Sequence, residues 1–180
     1  MKRVSLFLMI LLLTLALFAG CTGKTPDVIE SEKNAKVTLE NLDWSIPVEI
    51  DGGGSTVYTL AQAKAHDMVK IYCSYRFVPR SSNTAPQVTT AIFEGIRFSD
   101  FLADIGYPDA QSVTIYHTNE AYYQPFEFDK EIINDPESII TWIQNKREVI
   151  AESDSYVGFA AANAGVDDMC HSISRIVVHP

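Results

Sequence analysis

Met68 to Phe77 carries the clearest alternation of two-residue period in the chain. Val69, Ile71, Cys73, Tyr75 and Phe77 fall on one side, and Lys70, Tyr72, Ser74 and Arg76 on the other. Successive side chains of a strand point to opposite faces, so this pattern predicts a half-buried strand with Cys73 on its apolar face. Val37–Leu39, Pro47–Ile50 and Ser112–His117 show the same period over shorter lengths and predict further strands, and Thr56–Thr59 and Val88–Phe93 also have strand character. Tyr156–Ala162 and Ile173–Val178 are more continuously apolar and are also read as strands. Tyr122–Phe128 is aromatic and extended, and Pro125 places it at an edge or bulge.

Helical spacing is rarer. Phe98, Phe101, Leu102 and Ile105 recur at i, i+3, i+4 and i+7, which predicts a short amphipathic helix capped by Ser99. Gly106 ends it and Pro108 blocks its continuation. Thr59 is placed to cap a brief helix over Leu60–Ala65. Pro136–Lys146 reads as a helix with Pro136 in its first turn and Ile139, Ile140 and Ile143 inward. Asp51–Ser55, with its three glycines, predicts a turn. No G-K-[ST] follows those glycines, so they do not form a phosphate loop. Val78–Gln87, with two prolines, predicts a loop. Many short strands, mixed or antiparallel, with two or three short helices predict a single domain of the α+β class.

The N-terminus follows a different pattern. Lys2 and Arg3 precede an apolar run from Val4 to Ala19, and Phe18-Ala19-Gly20-Cys21 closes it. This is the layout of a secretory signal, and its end resembles the lipobox of bacterial lipoproteins, in which the cysteine is lipidated. The run of about sixteen residues is shorter than the ~20 that span a bilayer. The expectation is a signal peptide over 1–20, an acylated tether over 21–36 and a folded domain over 37–180. The tether carries charge and almost no apolar period. Such a protein is held outside the cytoplasmic membrane by lipid on Cys21.

Charge narrows the partners. The full chain has a net charge of −9, and removing Lys2 and Arg3 takes the mature chain to −11. A surface of that sign repels nucleic acid, so a DNA or RNA partner is not expected. Cys73 and Cys170 lie 97 positions apart. In an oxidising compartment they either pair or stay free, and spacing leaves both open. There is no C-x-x-C redox motif.

Five segments, in order, resemble the molybdopterin-binding domain of the sulfite oxidase family. They are Tyr58–Lys64, Phe93–Leu102 with Ile105-Gly106, Asp109–Ile115, Asn119–Tyr122 and Ser174–Val178. The resemblance implies that family's fold. It also implies that Cys73, on the strand after the T-L element, stands where active members hold molybdenum through a thiolate, a soft ligand suited to that metal. Arg76 follows as a candidate cofactor contact. Other positions depart from the family. Asp167 and Asp168 stand where active members present basic residues near the pterin, and an anionic cofactor needs donors and positive potential. No twin-arginine pair occurs in the signal, although molybdenum cofactors are normally inserted before export of a folded protein.

The remaining chemistry is sparse. His117, His171 and His179 with Cys73 and Cys170 include the donor types of a metal site, but no recognised ligand spacing beyond the adjacent Cys170-His171. Glu30/Glu32 and Asp167/Asp168 read as solvated acids. Ser81 and Ser82 lie in no nucleophile elbow. Tyr107, Tyr116, Tyr122, Tyr123, Phe126, Phe128 and Trp142 are either strand core or a binding platform, and one of the adjacent Tyr122 and Tyr123 must face outward.

The sequence therefore predicts a membrane-anchored extracytoplasmic domain, non-catalytic, that binds a small molecule or an envelope protein and carries no cofactor. One alternative is a molybdopterin-dependent oxidoreductase with Cys73 as metal ligand. The other is an envelope adhesion or assembly lipoprotein with no small-molecule site.

Overall fold

A computed structural model describes residues 37–77, 85–146, 148–149 and 155–180. The signal, the tether with Cys21, the Glu30/Glu32 pair and Ser81 and Ser82 lie outside the described residues. The described chain forms two sheets and three short helices. The first sheet contains β1 (Ser45–Ile50), β2 (Ser55–Thr59), β5 (Ser112–His117), β6 (Phe126–Asp129) and β10 (Ile173–His179), in the order β2-β1-β10-β5-β6. β1 runs parallel to β10 and the other pairs are antiparallel, so this sheet is mixed. The second contains β3 (Val69–Phe77), β4 (Gln87–Arg97), β7 (Ser138–Gln144), β8 (Glu148–Val149) and β9 (Gly158–Ala161). Here β4 lies between β3 and β7, and β7 takes β9 along its first half and β8 at its end. The helices are α1 (Leu60–Ala63), α2 (Phe98–Asp104) and α3 (Lys130–Ile133). The expected α+β class holds. Among the described residues no helix is long and apolar enough to cross a membrane.

The main core draws on both sheets and α2, with Ile46, Tyr58, Phe98, Phe101, Leu102, Ile115, Ile140 and Phe159 fully buried. A second cluster covers the opposite face of the β3-β4-β7 sheet: Ile71, Cys73, Tyr75, Ala91, Phe93, Ile139, Ala160 and Met169. Ile139 and Ile140 thus serve different cores. This corrects the helix expected over Pro136–Lys146. That stretch is β7, whose Ser138–Trp142 is buried at every position. A strand buried on both faces loses its alternation, and its apolar run then looks like a helix. The real helix of this region is α3, where Asp129 caps by accepting from the Ile132 N–H at 3.0 Å.

Other boundaries shift for local reasons. Val37–Leu39 is not a strand, because Asn41 Oδ1 accepts from the Thr38 N–H at 2.6 Å and turns the chain. The extended stretch over Tyr122–Phe128 begins only at Phe126; the Tyr122 and Tyr123 N–H groups both donate to Asn119 O in a turn. β4 continues past Phe93 to Arg97 and enters α2 with no intervening residue. Arg97, not Ser99, is therefore the N-cap, and it makes no side-chain cap bond. Thr59 caps α1 as expected, with Gln62 closing a capping box.

Candidate functional site

Strand alternation carries Cys73 inward, as the sequence predicts, with 3% of its surface exposed. Ala91 lies opposite it on β4, and Ile71, Tyr75, Phe93, Ile139, Ala160 and Met169 complete its cluster. Its thiol donates to Ala161 O at 3.4 Å. Burial pushes the thiol pKa up, and the Ala161 contact offsets this in part. Arg76, three positions along, is on the opposite, exposed face. Its guanidinium forms an ion pair with Asp167 through Nε and through Nη2, the latter at 3.2 Å from Oδ2. That pairing holds Asp167 below the usual carboxylate range. The structure does not bring Cys73 and Arg76 to one site. These residues do not fit a molybdopterin centre: the thiol is enclosed by apolar side chains and held protonated, while the arginine faces away and is neutralised.

Cys170 is a free thiol, as is Cys73. It sits in an isolated bridge with Phe159, and burial pushes its pKa up to about 12. Among the described residues no group of three or more His, Cys, Asp or Glu side chains is placed to hold a metal ion.

His117 and His171 lie near enough to influence each other electrostatically. His171 packs its ring against Tyr75 with centroids 4.7 Å apart, and burial followed by the field of His117 brings its pKa down to about 4. His117 stacks on Tyr123 at 4.2 Å, and its Nδ1 accepts from the Asn119 N–H at 2.9 Å. An accepting Nδ1 requires a neutral ring, and burial lowers this pKa also. Next to His171, fully buried Ser172 joins the hydroxyls of Thr118 at 2.7 Å and Ser155 at 3.1 Å.

The folded state leaves His171 neutral where the unfolded chain, with an ordinary value near 6.5, takes up a proton. Stability is therefore expected to fall as pH drops from about 6.5 towards 4, by roughly 3 kcal/mol from this residue. Urea titrations of the wild type and His171→Leu at pH 7 and 4.5 check it. Equal losses in the two proteins would show that His171 is not responsible.

Of the expected aromatic platform, most is core. Trp142 is 2% exposed and packs against Trp44 at 5.6 Å, and Phe128 lies 4.4 Å from Phe159. Tyr116 is covered by the Arg175 guanidinium at 3.4 Å. The outward aromatics are Tyr122 and Tyr123, 83% and 49% exposed.

One arrangement escaped the sequence reading. On the outer face of the mixed sheet, Thr114 Oγ1 lies 2.9 Å from His179 Nε2, and His179 Nδ1 lies 3.2 Å from Asp51 Oδ2. A carboxylate only accepts, so the ring donates from Nδ1 to Asp51, while Nε2 and the Thr114 hydroxyl share the second hydrogen bond. A shallow cavity of about 510 Å³ opens beside them, with Ser112, Glu127 and Asp129 on its polar wall. β5 is flanked by β10 and β6, so its peptide donors are committed to the ladders. The site holds an imidazole fixed between a hydroxyl and a carboxylate, beside further hydroxyl and carboxylate groups. The period-2 pattern puts Ser112, Thr114 and Tyr116 on one face, but it gives no register to β10 and no position to Asp51.

No family model matches the chain, and no curated protein matches it. Its fold resembles that of sulfane dehydrogenase SoxCD from Paracoccus pantotrophus, with a TM-score of 0.60. Identity is 9% over 81% of this chain, which corresponds to 40% of that one. At this identity the likeness speaks to the fold. The expected α+β class of mixed and antiparallel short strands with a few short helices is met.

Proposed function

We propose that this protein is a lipid-anchored, extracytoplasmic binding domain that keeps a sulfite-oxidase-like architecture without molybdenum catalysis. The observation that carries this reading is the enclosure of Cys73, the residue standing where the family's metal thiolate is expected. It is sealed by Tyr75, Phe93, Ile139 and Met169, and its proton is held against Ala161 O. A small polar ligand finds hydroxyl, imidazole and carboxylate groups in the cavity beside Thr114 and His179. The anchor rests on Phe18-Ala19-Gly20-Cys21.

The test uses the full chain expressed in a bacterium that makes molybdopterin. Protein is extracted from membranes with detergent, and its lipid, molybdenum and pterin are measured. The expected result is a membrane-bound protein acylated on Cys21 with neither molybdenum nor pterin. Stoichiometric molybdenum that disappears in Cys73→Ser would overturn the non-catalytic reading in favour of an oxidoreductase. A protein recovered without lipid would overturn the anchor.

A further inference from the structure

Among the described residues β3 is the outermost strand of its sheet, and its hydrogen-bonding directions can be assigned. The Arg76 N–H donates to Val166 O at 2.7 Å, away from β4. On β4, the Ile92 N–H donates to Asn145 Oδ1 and the Ile92 carbonyl accepts from the Asn145 N–H, both away from β3. Ile92 pairs with Tyr72. Positions opposite each other in an antiparallel ladder alternate between bonded and non-bonded pairs. Tyr72–Ile92 is thus a non-bonded pair, and the peptide groups of Lys70, Tyr72 and Ser74 point to the free edge. Among the described residues no backbone group pairs with them.

Natural edges are usually blunted by proline, bulges or unpaired charge. Val69–Tyr75 has no proline, and its pairing with β4 shows no register shift. Its flanking cations are neutralised within the molecule: Lys70 by Glu94 at 3.8 Å and Arg76 by Asp167. On the outer face Tyr72 is 67% exposed beside Ile92, and Val88, 57% exposed, lies beyond the Ser74–Thr90 pair.

The open window is bounded. Val166 occupies the edge at Arg76, and the strand begins at Val69. Tyr72 is the midpoint of Val69–Tyr75 and an outward-bonding residue, as a two-fold axis through a bonded pair requires. We propose that the protein pairs with a second copy of itself through this edge, as an antiparallel dimer centred on Tyr72. Lys70 of each copy then meets uncharged Ser74 of the other, and the two Tyr72 side chains meet across the axis beside Ile92. Three bonded pairs give about six inter-chain hydrogen bonds. A shift of two residues towards the C-terminus sets Lys70 against Arg76, like charges, and runs into Val166. A shift the other way pushes the pairing past the start of β3. The proposal is independent of the molybdenum question and names the envelope partner as this chain itself.

The test is disulfide trapping in membranes carrying the full-length protein. Tyr72→Cys places two thiols at a bonded pair, where Cα atoms lie ~5.5 Å apart, within disulfide range. Val88→Cys is similarly exposed but sits on β4, away from the axis. After mild oxidation and alkylation, Tyr72→Cys is expected at twice the chain mass on a non-reducing gel and Val88→Cys at one. Detergent-extracted wild type should sediment as two chains and Tyr72→Pro, which lacks the edge donor, as one. Equal trapping of both cysteine variants, no trapping of either, a single-chain wild-type mass, or a Tyr72→Pro protein that stays dimeric would overturn the proposal. So would Tyr72→Cys trapped on a different protein, which would assign the edge to a foreign strand.

Discussion

Gly95→Ala is expected to leave little or no folded protein. Gly95 sits on β4 opposite Thr141, at a register shift between Glu94 and Gly95. A methyl there would fall 1.9 Å from Ile140 O, and 2.8 Å from both Ile140 C and Thr141 Cα. All three atoms are backbone of β7, which is buried from Ser138 to Trp142. Flexible side chains can move aside; a central strand cannot without breaking its ladder to β9 and its packing into two cores. The Thr141 hydroxyl, which donates to Glu94 O at 2.9 Å, depends on the same close approach. A loss beyond ~4–5 kcal/mol approaches the ~5–15 kcal/mol that holds most domains folded. Circular dichroism and soluble yield measure the effect. Gly54→Ala, whose added methyl meets nothing within 4 Å, serves as the control and should melt close to wild type. A cooperative melt for Gly95→Ala at the wild-type temperature would mean that the two strands are farther apart than described.

Gly95 also marks where sequence reading stops. A glycine in the middle of an alternating strand flags a bulge or close approach, but not which backbone approaches. The same divide runs through the molecule. The face of Cys73 was legible because β3 keeps one solvated side, and period 2 then fixes every orientation. That period already sets Cys73 and Arg76, three positions apart, on opposite faces, so the candidate cofactor pair was separable from sequence alone. β7 was misread because burial on both faces erases the period. Ser99 was misread because β4 flows directly into α2, so the capping position falls on the last strand residue. The Arg76–Asp167 pair and the Thr114–His179–Asp51 chain join distant residues. No local pattern encodes them; they appear once strand order and register are known.

Leu102→Ala is expected to destabilise the domain by roughly 2–5 kcal/mol, the range for truncating a buried leucine and leaving a cavity. Leu102 is fully buried in the main core beside Phe98 and Phe101. Phe98 and Phe101 pack edge-to-face at 5.1 Å, and Phe98 meets Phe159 of β9 at 5.2 Å, while Phe101 meets Tyr58 of β2 at 5.0 Å. The helix therefore ties the two sheets together, and its neighbours are too constrained to collapse into the space. Its end is fixed as well: the Tyr107 N–H donates to Leu102 O at 2.8 Å and the Gly106 N–H to Ala103 O at 3.0 Å, with Gly106 at φ 85°. This left-handed terminus satisfies carbonyls that the last turn would otherwise leave free. Because the bond at Leu102 uses its backbone, alanine preserves the terminus and removes packing alone. Denaturant titration should therefore show a lower midpoint with an unchanged slope. Ser99→Ala, at a position that makes no cap bond, should stay within ~0.5 kcal/mol of wild type. A neutral Leu102→Ala would place α2 outside the core and remove the element that carries the strongest part of the fold resemblance.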